Sequence, residues 1–145
     1  IVGDGELRGE LEALARATGL ESKVRFLGWR GDLDTIYGAT DVFMLTSRNE
    51  GTPVALIEAM ASGVASVSTD VGGVRDVIAD TSLGALVPFG DPEALAAAVA
   101  SYIGSPALHD LTGASAREAV ARKFDSRRLL DDIARLYDRL LTLPE

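Results

Sequence analysis

The feature that most constrains this chain is a nine-residue apolar run, Pro53–Ala61, which carries a single charged side chain, Glu58. A helix that is apolar on every face belongs inside a fold, where an ionised group is costly unless something pairs with it. Thr52 suits the N-cap of such a helix and Pro53 suits its first position. We therefore predict a buried helix that begins at Pro53 and holds Glu58 in its interior.

A second carboxylate, Glu50, lies eight residues before Glu58, in the turn that leads into this helix. The unpaired N–H groups and the positive dipole end of a helix start bind phosphate well, and Val54 and Ala55 are the expected donors. Gly51 lets a ligand approach the backbone closely. Glu58 would lie about six residues into the helix, about 9 Å along its axis from the helix start. An anion between two carboxylates that accept from hydroxyl groups suits a sugar nucleotide, with its diphosphate in the middle.

Helical and strand patterns alternate along the chain, which is typical of an α/β fold with a parallel sheet. Strands are predicted over 24–28, 41–45, 64–68 and 83–89. Helices are predicted over 6–18 and 74–79 besides the one that begins at Pro53, and residues 32–39 are predicted to form a short helical or turn segment. Three further helices follow, with Asp91, Ser105 and Asp125 as their expected caps. The last has an apolar stripe at helical spacing, which predicts a packing face. The stripe consists of Leu129, Leu130, Ile133, Leu136, Tyr137, Leu140 and Leu141.

Composition excludes several classes of function. A net charge of −8 argues against nucleic acid as a partner and gives no indication of membrane contact by this segment. The chain has no cysteine, which fits a cytosolic protein, and its one histidine, His109, is expected to be a solvated surface residue. The length predicts one domain, 1–145. Ile1 begins the chain in what resembles the end of a strand, so we expect a fragment of a longer protein.

The block from Ser47 to Gly63 resembles the Glu-x7-Glu motif of family 4 glycosyltransferases, retaining enzymes with the GT-B fold and nucleotide-sugar donors. Matching segments lie at Ile1–Gly5, Val24–Gly28, Asp41–Phe43, Ser68–Gly73 and Asp76. The resemblance implies a Rossmann-like parallel sheet flanked by helices, the C-terminal, donor-binding half of such an enzyme. It also implies that the N-terminal acceptor domain and the first strand-helix unit of this domain are missing from the chain. The final helix of such enzymes often returns to the other domain, so part of its packing face would be uncovered in this chain.

The resemblance further implies a role for each candidate residue. Glu58 would accept hydrogen bonds from the ribose, and Glu50 would be the catalytic residue that contacts the donor sugar. Gly51 to Ala55, a stretch that includes Thr52, would surround the diphosphate. The backbone of Arg30 would read the base while Trp29 covers it, although an exposed or partner-facing tryptophan is an equal alternative.

Three neighbouring features have two interpretations each. Arg48 and Arg75 would either supply positive charge to the phosphates or form salt bridges with nearby acids. Gly72-Gly73 would be either a second glycine loop near the site or a structural turn.

The implied reaction moves a hexosyl group from a nucleoside diphosphate sugar to an acceptor hydroxyl with retention, without metal or cofactor. Helix dipole and cationic side chains would take the place of a metal at the diphosphate. We expect the fragment to be inactive alone and the protein to be cytoplasmic, with any contact to the inner face of the membrane through the missing domain. Two alternatives stay open: a nucleotide-sugar 2-epimerase and a non-catalytic nucleotide-binding or scaffold module.

Overall fold

The structure is a computed structural model that describes residues 1–142 of the 145-residue chain. It divides into two compact units, Ile1–Ile36 and Tyr37–Glu145. In chain order, the helices and strands are α1 (Arg8–Ala17), α2 (Leu33–Gly38), β1 (Val42–Leu45), α3 (Val54–Ala61), β2 (Ala65–Thr69), α4 (Val74–Val77), β3 (Ala85–Val87), α5 (Pro92–Gly104), α6 (Pro106–Lys123) and α7 (Ser126–Leu141).

The first unit contains α1, which ends at a glycine as predicted. Gly19 has a φ of 70°, and its N–H donates to the Arg16 carbonyl while that of Leu20 donates to Ala15. These two bonds form the turn that glycine allows after a helix. The predicted strand over 24–28 is wrong. Three main-chain hydrogen bonds join this segment to residues 1–3. They are too few to form a β-ladder, so the pairing is limited to an isolated bridge between Gly3 and Gly28.

The second unit contains a three-stranded parallel sheet in the order β1-β2-β3. Val42 pairs with Ala65, and Val67 pairs with Ala85. The central strand β2 is buried at all five positions, as expected for a parallel strand covered on both faces. The third strand is shorter than predicted, since Pro88 follows its last residue and has no N–H for a ladder.

Helices pack against this sheet through two apolar clusters. The first joins α3, α4 and α6 to the sheet, and the second joins the strands to α5. Their buried members are Leu56, Met60, Val74, Val77, Ile78, Ala116 and Val120 in the first, and Ala65, Val67, Val87 and Tyr102 in the second. A Cβ on Gly113 would lie closer than 3.0 Å to the Gly63 carbonyl oxygen, so glycine is what lets α6 approach the turn between α3 and β2.

The three predicted caps are confirmed, but the predicted packing face of α7 is not covered. Asp91, Ser105 and Asp125 each accept hydrogen bonds from the first-turn amides of α5, α6 and α7. In the part of the chain that the structure describes, α7 has no buried residue. Its leucines are exposed because no other described element packs over them.

His109 on α6 is half-buried rather than solvated as predicted. Its Nε2 lies 2.8 Å from the Asp41 carbonyl oxygen, and its Nδ1 lies 2.9 Å from Oδ1 of Asp110. The carboxylate of Asp110 raises the pKa of His109, with a smaller contribution from the Asp41 carbonyl, while burial opposes the shift. The side chain therefore connects α6 to the residue before β1.

Candidate functional site

The candidate site lies where β1 and β2 end, at the edge where open α/β sheets bind ligands. The chain leaves β1 into the turn that contains Ser47 and Glu50, and leaves β2 into the loop that contains Gly72 and Gly73. Two hydrogen bonds join these loops. Oγ1 of Thr69 donates to the Ser47 carbonyl at 2.7 Å, and the N–H of Gly73 donates to the Glu50 carbonyl at 2.9 Å.

The glycine pair makes this close contact possible. A Cβ on Gly72 would lie closer than 3.0 Å to the carbonyl oxygen of Glu50, and a Cβ on Gly73 would overlap that of Gly51. Gly72 also has a φ of 49°, which favours glycine. The pair therefore lies beside the candidate site and supports the backbone that presents Glu50.

The carboxylate of Glu50 is held by a hydroxyl from its own turn. Oγ of Ser47 donates to Oε1 of Glu50 at 2.5 Å, and both residues are half-buried. Because Thr69 fixes the Ser47 backbone, the orientation of Glu50 depends on β2 as well as on the turn. Sequence reasoning did not identify Ser47 as a partner, although a hydroxyl three residues before an acid in a turn was an available signal.

Helix α3 begins one residue later than predicted. Pro53, not Thr52, is the N-cap, with φ −75° and ψ 89° and no side-chain cap. Its carbonyl accepts from the N–H groups of Leu56 and Ile57 at 3.1 and 3.2 Å. The extended ψ of Pro53 keeps Thr52 outside the helix. Glu58 is consequently four residues beyond the first helical residue, about 6 Å along the axis rather than 9 Å.

The start of α3 is open to solvent. Gly51, Thr52, Val54 and Ala55 are exposed, and Val54 is 61% exposed. The first amides of a helix have no intrahelical carbonyl to reach, so those of Val54 and Ala55 are available to a ligand. The prediction of a helix buried on every face is wrong, because only Leu56, Ala59 and Met60 are buried. One side of α3 packs in the core and its N-terminal turn faces solvent.

Glu58 is half-buried and has a protein partner that the sequence did not indicate. The hydroxyl of Tyr37 lies 3.0 Å from Oε2 of Glu58 and 3.3 Å from the Ala55 carbonyl oxygen. Tyr37 is buried, and its ring meets that of Phe43 edge to face. Burial, followed by the hydrogen bond to Glu58, raises the pKa of Tyr37 to about 12. The phenol therefore stays protonated at neutral pH and donates to the carboxylate.

The predicted base-binding residues lie in the first unit. Trp29 is 83% exposed, and Nε of Arg30 donates to Oδ1 of Asp32 at 2.7 Å. This hydrogen bond with Arg30 lowers the pKa of Asp32. The roles of Trp29 and of the Arg30 backbone toward a base stay predictions.

The two cationic candidates differ. Arg75 forms an ion pair with Asp70, in agreement with the salt-bridge interpretation. Arg48 is an exposed residue of the turn that contains Glu50.

Residues 1–142 contain no cluster of three or more acidic, histidine or cysteine side chains with a geometry suited to a metal ion. No helix among them is both long enough and apolar enough to traverse a bilayer.

The second unit thus has a Rossmann-like fold, with parallel strands, an open helix start at their carboxyl ends, and two oriented carboxylates beside that helix start. The sequence model described as "Glycosyl transferases group 1" matches residues 1–119, and the chain belongs to this family. The resemblance given by the Glu-x7-Glu block and the predicted α/β fold are therefore confirmed.

Individual relatives agree with this assignment. The chain is 36% identical to the lipopolysaccharide core biosynthesis mannosyltransferase LpcC of Rhizobium leguminosarum over 91% of its length and 38% of that protein. It is similar to HepE from Anabaena solved with UDP, with a TM-score of 0.91, 26% identity, and coverage of 95% of this chain and 40% of that one. It is also similar to sucrose-phosphate synthase from Thermosynechococcus elongatus, with a TM-score of 0.87, 29% identity, and coverage of 97% and 37%.

Proposed function

We propose that the protein is a retaining glycosyltransferase that moves a hexosyl group from a nucleoside diphosphate sugar to an acceptor hydroxyl, and that this chain binds the donor. The observation that carries the proposal is the open start of α3 between two half-buried carboxylates, each held by a hydroxyl group. Support also comes from a second structure of HepE, solved with UDP-glucose, which matches this chain with a TM-score of 0.89 and 27% identity.

The diphosphate would bind at the start of α3. The amides of Val54 and Ala55 point at no intrahelical acceptor, and a helix N-terminus attracts negative charge. When the bond between the anomeric carbon and the phosphate oxygen breaks, negative charge grows on the departing diphosphate. The α3 dipole stabilises that charge, and donors already in place need no reorganisation during the step. We therefore propose that the glycosyl transfer proceeds with no metal or cofactor.

The two carboxylates would bind opposite ends of the donor. Glu58, about 6 Å into α3, would accept from the ribose hydroxyls. Glu50, in the turn before α3, would accept hydrogen bonds from hydroxyls of the hexose that is transferred, and would be the catalytic residue. Gly51 and Thr52 are exposed between the two acids, where backbone and a small side chain leave room for the diphosphate.

The acceptor would bind outside this chain. The chain spans 38% of the length of LpcC and 40% of HepE, so most of each relative lies beyond the matched region. We propose that the remaining part of the whole protein carries the acceptor pocket and that this chain alone does not catalyse transfer. The exposed apolar stripe of α7 is a surface available for packing against such a part.

Nucleotide binding tests the donor site. We expect one nucleoside diphosphate among UDP, GDP and ADP to bind best in calorimetric titration, and Glu58→Gln to weaken it about tenfold or more, since a hydrogen bond to a charged group contributes about 1.5–3 kcal/mol. Glu93→Gln, an exposed acid on α5, is the matched control and should leave the Kd unchanged. A Glu58→Gln variant that binds as tightly as the parent would contradict the proposal.

Product analysis tests the reaction. NMR of the product formed by the whole protein should show transfer to an acceptor with the anomeric configuration of the donor retained. A 2-epimerised sugar nucleotide would indicate an epimerase instead. Nucleotide binding without any product would indicate a binding module.

A further inference from the structure

We propose that Tyr37 is the positioning residue for Glu58: its phenol holds one carboxylate oxygen and leaves the other for a ribose hydroxyl of the bound nucleotide. This inference rests on the donor-binding function proposed above. It adds a residue of α2, outside the Glu-x7-Glu block, to the ribose subsite. Tyr37 touches no substrate in this arrangement and acts only through Glu58.

The contacts of Tyr37 connect the carboxylate to the start of α3. Its hydroxyl lies 3.0 Å from Oε2 of Glu58 and 3.3 Å from the carbonyl oxygen of Ala55. A phenol donates a single proton, and the closer acceptor is the charged one, where hydrogen bonds are stronger. The same hydroxyl therefore keeps Glu58 at a set distance from the backbone of the residue whose amide would bind the diphosphate.

The ring of Tyr37 is itself immobilised. Tyr37 is 8% exposed, and its ring centroid lies 6.2 Å from that of Phe43 at an interplanar angle of 61°. An edge-to-face pair of this kind favours one ring orientation. A rigid donor restricts the rotamers of Glu58 before any ligand arrives, which lowers the entropic cost of binding.

The second carboxylate oxygen of Glu58, Oε1, is left for a ligand. Within residues 1–142, the Glu58 carboxylate accepts one hydrogen bond, at Oε2 from Tyr37, and no donor reaches Oε1. A half-buried carboxylate with an unused acceptor favours a ligand that donates hydrogen bonds, and an ionised carboxylate only accepts. The 2′ and 3′ hydroxyls of a ribose are such donors. Tyr37 thus directs Glu58 toward recognition of a ribonucleotide in preference to its dideoxy counterpart.

Tyr37→Phe is the variant that isolates the hydroxyl, since it keeps the buried ring and its contact with Phe43. Calorimetric titration would use UDP, GDP and ADP, together with the 2′,3′-dideoxy counterpart of the one that binds best. We expect Tyr37→Phe to weaken the ribonucleotide about fivefold and to change the dideoxynucleotide by less than about twofold, from the ordinary strength of a single hydrogen bond. Tyr137→Phe removes an exposed hydroxyl from α7 and should change neither Kd.

A double variant distinguishes positioning from a general structural effect. In a Glu58→Gln background, adding Tyr37→Phe should weaken ribonucleotide binding by less than about twofold, because the two side chains act through one contact. Equal weakening of ribonucleotide and dideoxynucleotide by Tyr37→Phe would overturn the proposal. Thermal unfolding followed by circular dichroism confirms that each variant is folded.

Failure of the inference and failure of the proposed function give different results. If Glu58→Gln weakens ribonucleotide binding and Tyr37→Phe does not, Tyr37 has no positioning role while the ribose subsite stands. If Glu58→Gln itself has no effect, the ribose subsite is wrong and the role of Tyr37 is overturned with it.

Discussion

Helices α3 and α7 are both rich in apolar residues, but the structure uses them in opposite ways. The eight residues of α3 have no clean amphipathic pattern, yet Leu56, Ala59 and Met60 are buried and the helix start presents the candidate site. The sixteen residues of α7 have a regular apolar stripe, and none of them is buried among the described residues. The helix with the better sequence pattern is the one that contributes less to the core.

The difference comes from what each helix connects. Helix α3 lies between two parallel, paired strands, β1 and β2, so the crossover must pack back onto the sheet. Helix α7 follows α6, and among residues 1–142 no strand comes after it. A periodic stripe shows that a face is able to pack, while chain connectivity supplies the neighbour. Under the function proposed above, the exposed stripe would pack against the remaining part of the whole protein.

The largest expected effect comes from truncating one leucine in α3 and comparing the loss of stability with that of a truncated leucine in α7. Leu56→Ala should lower the free energy of unfolding by about 2–5 kcal/mol, because Leu56 is fully buried and truncation leaves a cavity. Leu140→Ala should change it by less than about 0.5 kcal/mol, because Leu140 is 57% exposed. Urea denaturation measures both. A comparable loss in Leu140→Ala would show that the α7 stripe is covered in solution.

A smaller effect concerns the turn in front of α3. Gly73→Ala should lower the free energy of unfolding by about 1–3 kcal/mol, because the added methyl group overlaps the Gly51 carbonyl oxygen. It should also weaken nucleotide binding, since the turn that holds Glu50 must move. Gly104→Ala is the matched control, as a Cβ there meets open space. Two variants with the same stability and affinity would argue against close support of the turn by the glycine pair.

The smallest effect concerns α6, which lies between α3 and α7 in sequence. His109 attaches this helix to the residue before β1. Both ring nitrogens face acceptors, so the protonated ring fits best and its pKa is raised above the ordinary 6.5. The stabilisation is therefore fully present below pH 6.5 and is lost as the pH rises through the raised pKa. We expect His109 to contribute about 1 kcal/mol more to the free energy of unfolding at pH 6 than at pH 9, and measurements at the two pH values check this.

His109→Gln is the test of that assignment. Glutamine retains a donor for the Asp41 carbonyl but does not titrate, so the difference in stability between the two pH values should shrink by the same amount. An unchanged difference would assign the pH dependence to other groups.

Much of the fold could be predicted from local signals. The three capped helices after residue 90 lie as predicted, because Asp91, Ser105 and Asp125 satisfy amides within three residues of themselves. The prediction of a strand over 24–28 was wrong because a strand needs a paired neighbour, and only a few hydrogen bonds join this segment to residues 1–3. Helix α3 starts one residue later than predicted because Pro53 has an extended ψ and is itself the N-cap, which the residue type does not reveal.

The amino-acid sequence was sufficient to identify the two acids, the helix start between them and the family to which they belong. Those depend on residue types at short spacing, where chain geometry leaves few arrangements. Two contacts were settled by tertiary structure alone: that of Tyr37 with the Glu58 carboxylate, 21 residues apart, and that of the glycine pair with the Glu50 backbone, over 20 residues apart. Contacts at such separations form only when the sheet brings its loops to one edge, and no local pattern records which side chains will meet there.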